Sequence, residues 1–217
     1  MMMTRPQISA FLALSVTLWV GVLTIRGTQL SWEMVVPFGT VVGSVSFVML
    51  IFDVWAWKLP IFRTWLVKRP YVHGTWKTIL QSDWINPETG EGVPAIQCFL
   101  VVRQTASRLS LRLVTPESRS ETVSAGIETL TDGTFQISCT YRNKPKSMYR
   151  YRSEVHYGAM LLNAENAAPR RMEGEYWTDR KTTGSIELTD RKGKTPSTFD
   201  EAQALFSEYS LCVGADK

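Results

Sequence analysis

The polarity of the chain changes abruptly after Phe52. Before it lie two stretches without a charged residue, Ile8 to Ile25 and Met34 to Phe52. They hold 18 and 19 residues, close to the ~20 that a helix needs to cross a hydrocarbon layer ~30 Å thick. Only Arg26 to Glu33 connects them. Two apolar runs with so short a connector predict a transmembrane hairpin over residues 1–57, with spans at about 8–25 and 34–54. A cleaved signal peptide beginning at Arg5 fits less well. The first run exceeds the usual ~7–15 residues, and no small-x-small site follows it.

From Pro70 onward the pattern changes to alternation. In Phe135–Arg142, the residues Phe135, Ile137, Cys139 and Tyr141 share one face, and Gln136, Ser138, Thr140 and Arg142 share the other. In Arg108–Val114, Leu109, Leu111 and Leu113 do the same. Strict alternation of this kind marks a half-buried strand. Further strands are expected at 74–83, 96–104, 121–130, 152–162, 171–178 and 183–189, about eight in all. Turn-forming stretches separate them: Asn86–Gly92, Thr131–Gly133, Asn143–Lys146 and Asp179–Gly184. From Pro70 onward a helical signal comes only late, where Thr198-Phe-Asp-Glu201 reads as a capping box. Closely spaced strands without crossover helices predict an antiparallel meander, and about eight of them can close into a small barrel with a ligand at one mouth. The expected fold is therefore a membrane-anchored all-β protein: a two-helix hairpin, a basic linker at 58–69, and an eight-stranded β-barrel with a short C-terminal helix at 70–217.

Charge orients this arrangement. The net charge is +4, and Lys58, Arg63, Lys68 and Arg69 follow the second run while the connector has only Arg26 among basic residues. Positive charge marks the cytoplasmic side, which places both termini in the cytoplasm. Trp19, Trp32, Trp55, Trp57 and Trp65 lie near the ends of the runs, as interfacial aromatics do. Cys98, Cys139 and Cys212 are odd in number and form no CxxC pair, in keeping with a reducing compartment. His73 and His156 lack metal-ligand spacing, so no metal is expected. Within the second run Gly39 and Gly43 form a GxxxG, a face that suits close helix approach, either to the first helix or to another protomer. Asp53, the one carboxylate beside a run, is expected to be solvated at the membrane edge.

Catalytic motifs are absent: there is no GxSxG, HExxH or Walker sequence. Glu173, Glu175, Asp179 and Glu187 alternate along the last strands as a solvated sheet face would. Tyr176 and Trp177 stand beside Thr178, Asp179 and Arg180, which suits either a nucleotide grip or one more hairpin.

The order of motifs decides between these. Behind two apolar runs come Val72–Leu80 with its Gly-Thr-Trp opening, Thr140–Pro145, Arg150–Leu162 and Met172–Leu188. This series resembles the two-transmembrane β-strand-rich effector family of bacterial CBASS anti-phage systems, over nearly the whole chain. The resemblance implies a receptor and not an enzyme. Its barrel would bind a cyclic dinucleotide made by a partner CD-NTase-type nucleotidyltransferase. The effector would then oligomerise and disrupt the inner membrane, halting growth in an abortive infection. It implies no cofactor and no nucleic acid polymer as partner. The ligand has two phosphates and two bases; guanidinium groups suit the former and aromatic faces the latter. Arg150, Arg152 and Arg180 are the candidate phosphate partners, with His156 as a further donor. Tyr141, Tyr176 and Trp177 are candidate stackers, although neighbouring Tyr176 and Trp177 must face opposite sides of a strand. Asn143 and Thr178 are candidates for base or ribose edges. The rival classes are a membrane-tethered hydrolase of a nucleotide or lipid headgroup, and a constitutive adaptor.

Overall fold

The computed structural model describes residues 5–25, 27, 32–65, 67 and 69–213. Two compact units divide the chain: Met1–Val67 with Thr105–Ser107, and Lys68–Gln104 with Arg108–Lys217.

The first unit contains helix α1 (Arg5–Ile25), helix α2 (Trp32–Val54), a single 3-10 turn (Ala56–Lys58) and helix α3 (Pro60–Trp65). The expected linker at 58–69 is thus partly helical. Arg26, residues 28–31 and Lys68 lie outside the described residues, as do the side chains of Trp32, Arg63 and Trp65. Counted over the described residues, no helix is long and apolar enough to cross a membrane; the side chains of residues 31–41 fall outside that description. The expected crossing therefore does not follow from the helices as described. Asp53 departs from expectation. It is 9% exposed, and its carboxylate accepts hydrogen bonds from Ser107 N–H at 2.8 Å and the Thr105 hydroxyl at 3.3 Å. Its carbonyl accepts from Ala106 N–H at 3.0 Å. A carboxylate that gains several N–H and O–H donors no longer needs water.

The second unit is a closed antiparallel barrel of eight strands in chain order. They are β1 (Gly74–Ser82), β2 (Ile96–Gln104), β3 (Leu109–Val114), β4 (Ser118–Thr129), β5 (Phe135–Pro145), β6 (His156–Ala164), β7 (Met172–Thr178) and β8 (Thr183–Lys192). Pairing of β8 with β1 closes it and removes free sheet edges. Several boundaries differ from the pattern reading: β4 starts earlier, at Ser118, and β8 runs on to Lys192. Strand β5 runs through Asn143 to Pro145, and β6 starts at His156. Residues 146–155 form the connecting loop instead, with a 3-10 turn at Ser147–Tyr149.

Alternation puts Phe135, Ile137, Cys139, Met160, Leu162, Met172, Ile186 and Leu188 inside the barrel. Trp76 is fully buried among them, and its indole N–H donates to Val72 O at 2.9 Å. Strand β2 is buried on both faces, which is why Cys98–Val102 is continuously apolar. Its outer residues Phe99 and Val101 pack with Val114 under helix α4 (Phe199–Val213), against Phe199, Ala202 and Phe206. The Phe99 and Phe206 rings stack at 5.3 Å. The expected capping box opens α4: Glu201 N–H reaches the Thr198 hydroxyl at 3.3 Å, and the Glu201 carboxylate accepts from Ser197 N–H at 2.8 Å.

Candidate functional site

The core fills one end of the barrel, where Trp76, Phe135 and Met172 lie. At the other end is a cavity of about 880 Å³. Leu80, Ile96, Leu113, Met160 and Ile186 give it an apolar lining. Tyr141 and Tyr176 also line it, and polar groups from the strand ends and loops complete it.

Strand register assembles the wall in layers. Met160 pairs with Cys139 on one side and Tyr176 on the other, and Tyr176 pairs onward with Gly184, itself opposite Ser82. One layer nearer the mouth, Gly158 stands between Tyr141 and Thr178. Nearer still, Asn143 pairs with His156. Two glycines make room for the two rings. A Cβ on Gly158 would lie 2.5 Å from the Tyr141 hydroxyl oxygen, and one on Gly184 would lie 2.7 Å from the Tyr176 ring. Each tyrosine therefore lies over its cross-strand glycine.

Burial pushes the Tyr141 hydroxyl well above the ordinary phenol range and raises that of Tyr176 too. Both stay protonated at neutral pH and can donate to an anion without repelling it. His156 is buried, with Nδ1 3.0 Å from the Glu154 carbonyl oxygen. A carbonyl only accepts, so Nδ1 carries the proton and Nε2 is left for another partner. Asn143 also lines the cavity.

Two arginines stand at the rim. Arg152 meets the Glu117 carboxylate at 2.6 Å and lies 5.1 Å over the Tyr149 ring. Arg180 donates to the Ser153 hydroxyl at 3.3 Å. It does not close its own turn with Asp179, whose carboxylate accepts Tyr157 N–H at 2.9 Å. Thr178 and Thr182 share a hydrogen bond of 2.5 Å between their hydroxyls.

Of the nine residues picked from the sequence, Tyr141, Asn143, Arg152, His156, Tyr176, Thr178 and Arg180 converge on this one cavity. Arg150 and Trp177 do not. Arg150 is exposed in the β5–β6 loop. Trp177 is 46% exposed on the outer face, as the alternation with inward Tyr176 requires. Gly39 and Gly43 belong to α2 in the other unit. Sequence reasoning missed Trp84, Glu117, Tyr149 and Thr182, which also line the cavity. All four sit in turns and loops, where no period exists to reveal them; a lone tryptophan before the Asn86–Gly92 turn was the one available signal. Glu173, Glu175 and Glu187 lie along an outer-face groove with Ser185 and Asn163, where Arg171 pairs with Glu187 at 3.0 Å. Among the described residues no group of three or more His, Cys, Asp or Glu could hold a metal ion. The cavity offers cations, protonated phenols, amide and hydroxyl groups above an apolar floor, a set that suits an anion bearing flat rings.

Comparison with known proteins gives two matches. Residues 67–190, more than half of the chain, match the family model described as Cap15, cyclic dinucleotide receptor domain. The chain is also 22% identical over 165 residues to the protein named CD-NTase-associated protein 15 of Staphylococcus schleiferi, an alignment spanning 76% of this chain and 83% of that relative.

Proposed function

The chain belongs to the Cap15 family, whose cyclic dinucleotide receptor domain it carries at residues 67–190, and we propose that it is a CBASS antiviral effector. Its barrel binds a cyclic dinucleotide in the open end. The relative's name ties that protein to a CD-NTase, and we take the ligand's source here to be a partner nucleotidyltransferase of that kind. The chain acts by recognition and not by catalysis.

The observation that carries this reading is the convergence of Arg152, Arg180 and His156 with Tyr141 and Tyr176 on one cavity of about 880 Å³. That size falls within the roughly 300–1,000 Å³ of small-molecule sites. Two guanidinium groups match two phosphates, and each stacked base is worth about 1–3 kcal/mol. Asn143 and Thr178 are assigned to base or ribose edges, and Trp84 joins the tyrosines as a further stacking face. The test is a calorimetric titration of the full chain with a panel of cyclic di- and trinucleotides. Heat from at least one member, lost in Arg180→Ala, is expected. A flat trace for the whole panel at high micromolar concentration removes the receptor reading.

The same proposal extends to the membrane. Helices α1 and α2 hold 21 and 23 residues, so at ~1.5 Å per residue they are about 31 and 34 Å long, enough for a ~30 Å hydrocarbon core. Val45 and the run Phe47–Ile51 are exposed at 39–63%, a contiguous apolar surface of the sort that meets lipid or another chain. The positive-inside pattern supports a cytoplasmic barrel, and we take the membrane to be a bacterial inner membrane, as for a CBASS effector. Among the described residues a Cβ on Gly43 would meet nothing within 4 Å, which supports close approach of a second protomer on this face. Ligand-driven oligomerisation through it, followed by membrane disruption and growth arrest, completes the proposed action.

A further inference from the structure

The two rim arginines are engaged before any ligand arrives, and both hold the same loop. Residues 146–155 connect β5 to β6. Within the segment Ser147–Val155 the backbone hydrogen bonds are local, Arg150 to Ser147 and Arg152 and Ser153 to Tyr149. Its described side-chain hydrogen bonds to the rest of the barrel, beyond adjacent His156, are two. Arg152 pairs with Glu117 of the β3–β4 turn at 2.6 Å, and Ser153 accepts from Arg180 of the β7–β8 turn at 3.3 Å. The loop is thus tied to the rim on both sides, each time through a guanidinium that also lines the cavity.

We infer that Arg152 and Arg180 form a ligand-operated latch on the β5–β6 loop, with Glu117 and Ser153 as the positioning residues that hold it shut. The inference rests on the receptor reading above. The Arg152 and Glu117 side chains are 50% and 48% exposed, and an ion pair so hydrated is weak and readily exchanged. A phosphate accepts two parallel N–H bonds from a guanidinium and competes directly for the same donors. Once Arg152 turns to phosphate, the Glu117 carboxylate is left beside a second anion. Like charges so placed repel, which swings the Glu117 side chain from the occupied rim while its backbone stays in place. Arg180, drawn to the other phosphate, releases Ser153. Two contacts would survive at the ends of the loop: Lys146 N–H to Glu117 O at 2.8 Å, and His156 Nδ1 to Glu154 O at 3.0 Å. Between those hinges the loop is free to move, carrying Met148 and Tyr151, already 68% and 83% exposed. Ligand occupancy is in this way converted into a change at the barrel surface.

The test uses the full chain in detergent micelles with cyclic di-AMP, cyclic di-GMP, cyclic GMP–AMP and cyclic di-UMP as probes. Hydrogen–deuterium exchange of Ser147–Val155 and calorimetric affinity are read together. For a probe that binds, the loop's exchange rises in the wild type. Glu117→Gln exchanges faster there without ligand, and binds the same probe ~2–5-fold tighter because a competing anion is gone. Ser153→Ala loosens the other tether and shifts both readouts in the same direction, independently of how Glu117→Gln folds. Weaker or unchanged binding by Glu117→Gln, or a loop that becomes more protected with ligand, overturns the latch alone. If no probe binds the wild type, the receptor reading falls and the latch loses its trigger with it.

Discussion

Tyr176 and Trp177 illustrate how one bond of sequence separates a cavity residue from a surface one. Adjacent strand positions face opposite ways, and here Tyr176 is the inward member while Trp177 is 46% exposed. Tyr176→Ala is expected to weaken cyclic dinucleotide binding by about tenfold, the loss of one stacked base; Trp177→Ala is expected to leave affinity unchanged. A calorimetric comparison of the two variants decides it, and equal losses would place both aromatics on the ligand. Gly184→Ala acts on the same ring from behind. Its Cβ would sit 2.1 Å from Gln81 O and 2.7 Å from the Tyr176 ring, so overpacking should cost about 1–3 kcal/mol in a urea melt. The sequence carried the chemistry of this site but not its geometry. Tyr141, His156 and Thr178 were legible because they lie on strands, where alternation assigns a face; Asn143 was expected in a turn, and β5 runs on through it. Glu117, Tyr149 and Trp84 were not, because a rim built of turns follows no period. Arg150 was drawn in by its guanidinium and its place at the head of the Arg150–Leu162 motif; it lies in the β5–β6 loop, outside either strand.

At the level of elements, the eight strands were readable from their pattern, since each has at least one buried face, while several of their ends were not. The exception is how β3 meets β4. Their only ladder pair is Val114 with Arg119. Beyond it, side-chain hydroxyls take the place of a neighbouring backbone. Thr122 Oγ1 accepts from Leu111 N–H at 2.8 Å and donates to Leu111 O at 2.6 Å, and Ser120 Oγ accepts from Leu113 N–H at 2.8 Å. A bulge between Thr122 and Ser124 turns Val123 outward to 63% exposure. No periodicity announces a seam of this kind, because hydroxyls spaced along a strand read as its polar face. Thr122→Val keeps the shape and removes both hydrogen bonds, leaving two backbone groups without partners at a cost of about 1–3 kcal/mol. Lower urea stability with faster amide exchange at Leu111 is expected; an unchanged melt would mean that water or backbone takes over. The neighbouring β4–β5 pair carries a titratable clasp. Glu121 receives Lys144 at 2.9 Å and Arg142 at 3.2 Å, and these cations hold its pKa at about 2. A depressed carboxylate stabilises the fold fully above its ordinary value and loses that contribution as pH falls through the folded value. Between about pH 4.5 and pH 2, urea midpoints should therefore fall more steeply for the wild type than for Glu121→Gln.

For the whole molecule, the question is whether events in the barrel reach the apolar helices. The sequence pattern supplied both parts, a charged alternating domain and two uncharged runs, yet periodicity does not describe how one answers the other. The proposed action requires separable steps: ligand capture by the barrel, and association through the helices. Gly43 offers a handle on the second alone, since it lies in α2 with no described residue within 4 Å of where its Cβ would be, and bulk there prevents close helix approach. The full chain, reconstituted in dye-loaded vesicles of bacterial lipid, should release dye when a binding cyclic dinucleotide is added. Gly43→Leu should bind that ligand with wild-type affinity and release dye severalfold more slowly, with smaller assemblies by sedimentation. Wild-type release from Gly43→Leu would move the association surface off this helix face. Release from the wild type without ligand would make the helices constitutively disruptive, and the barrel would then be a restraint that the ligand has no need to lift.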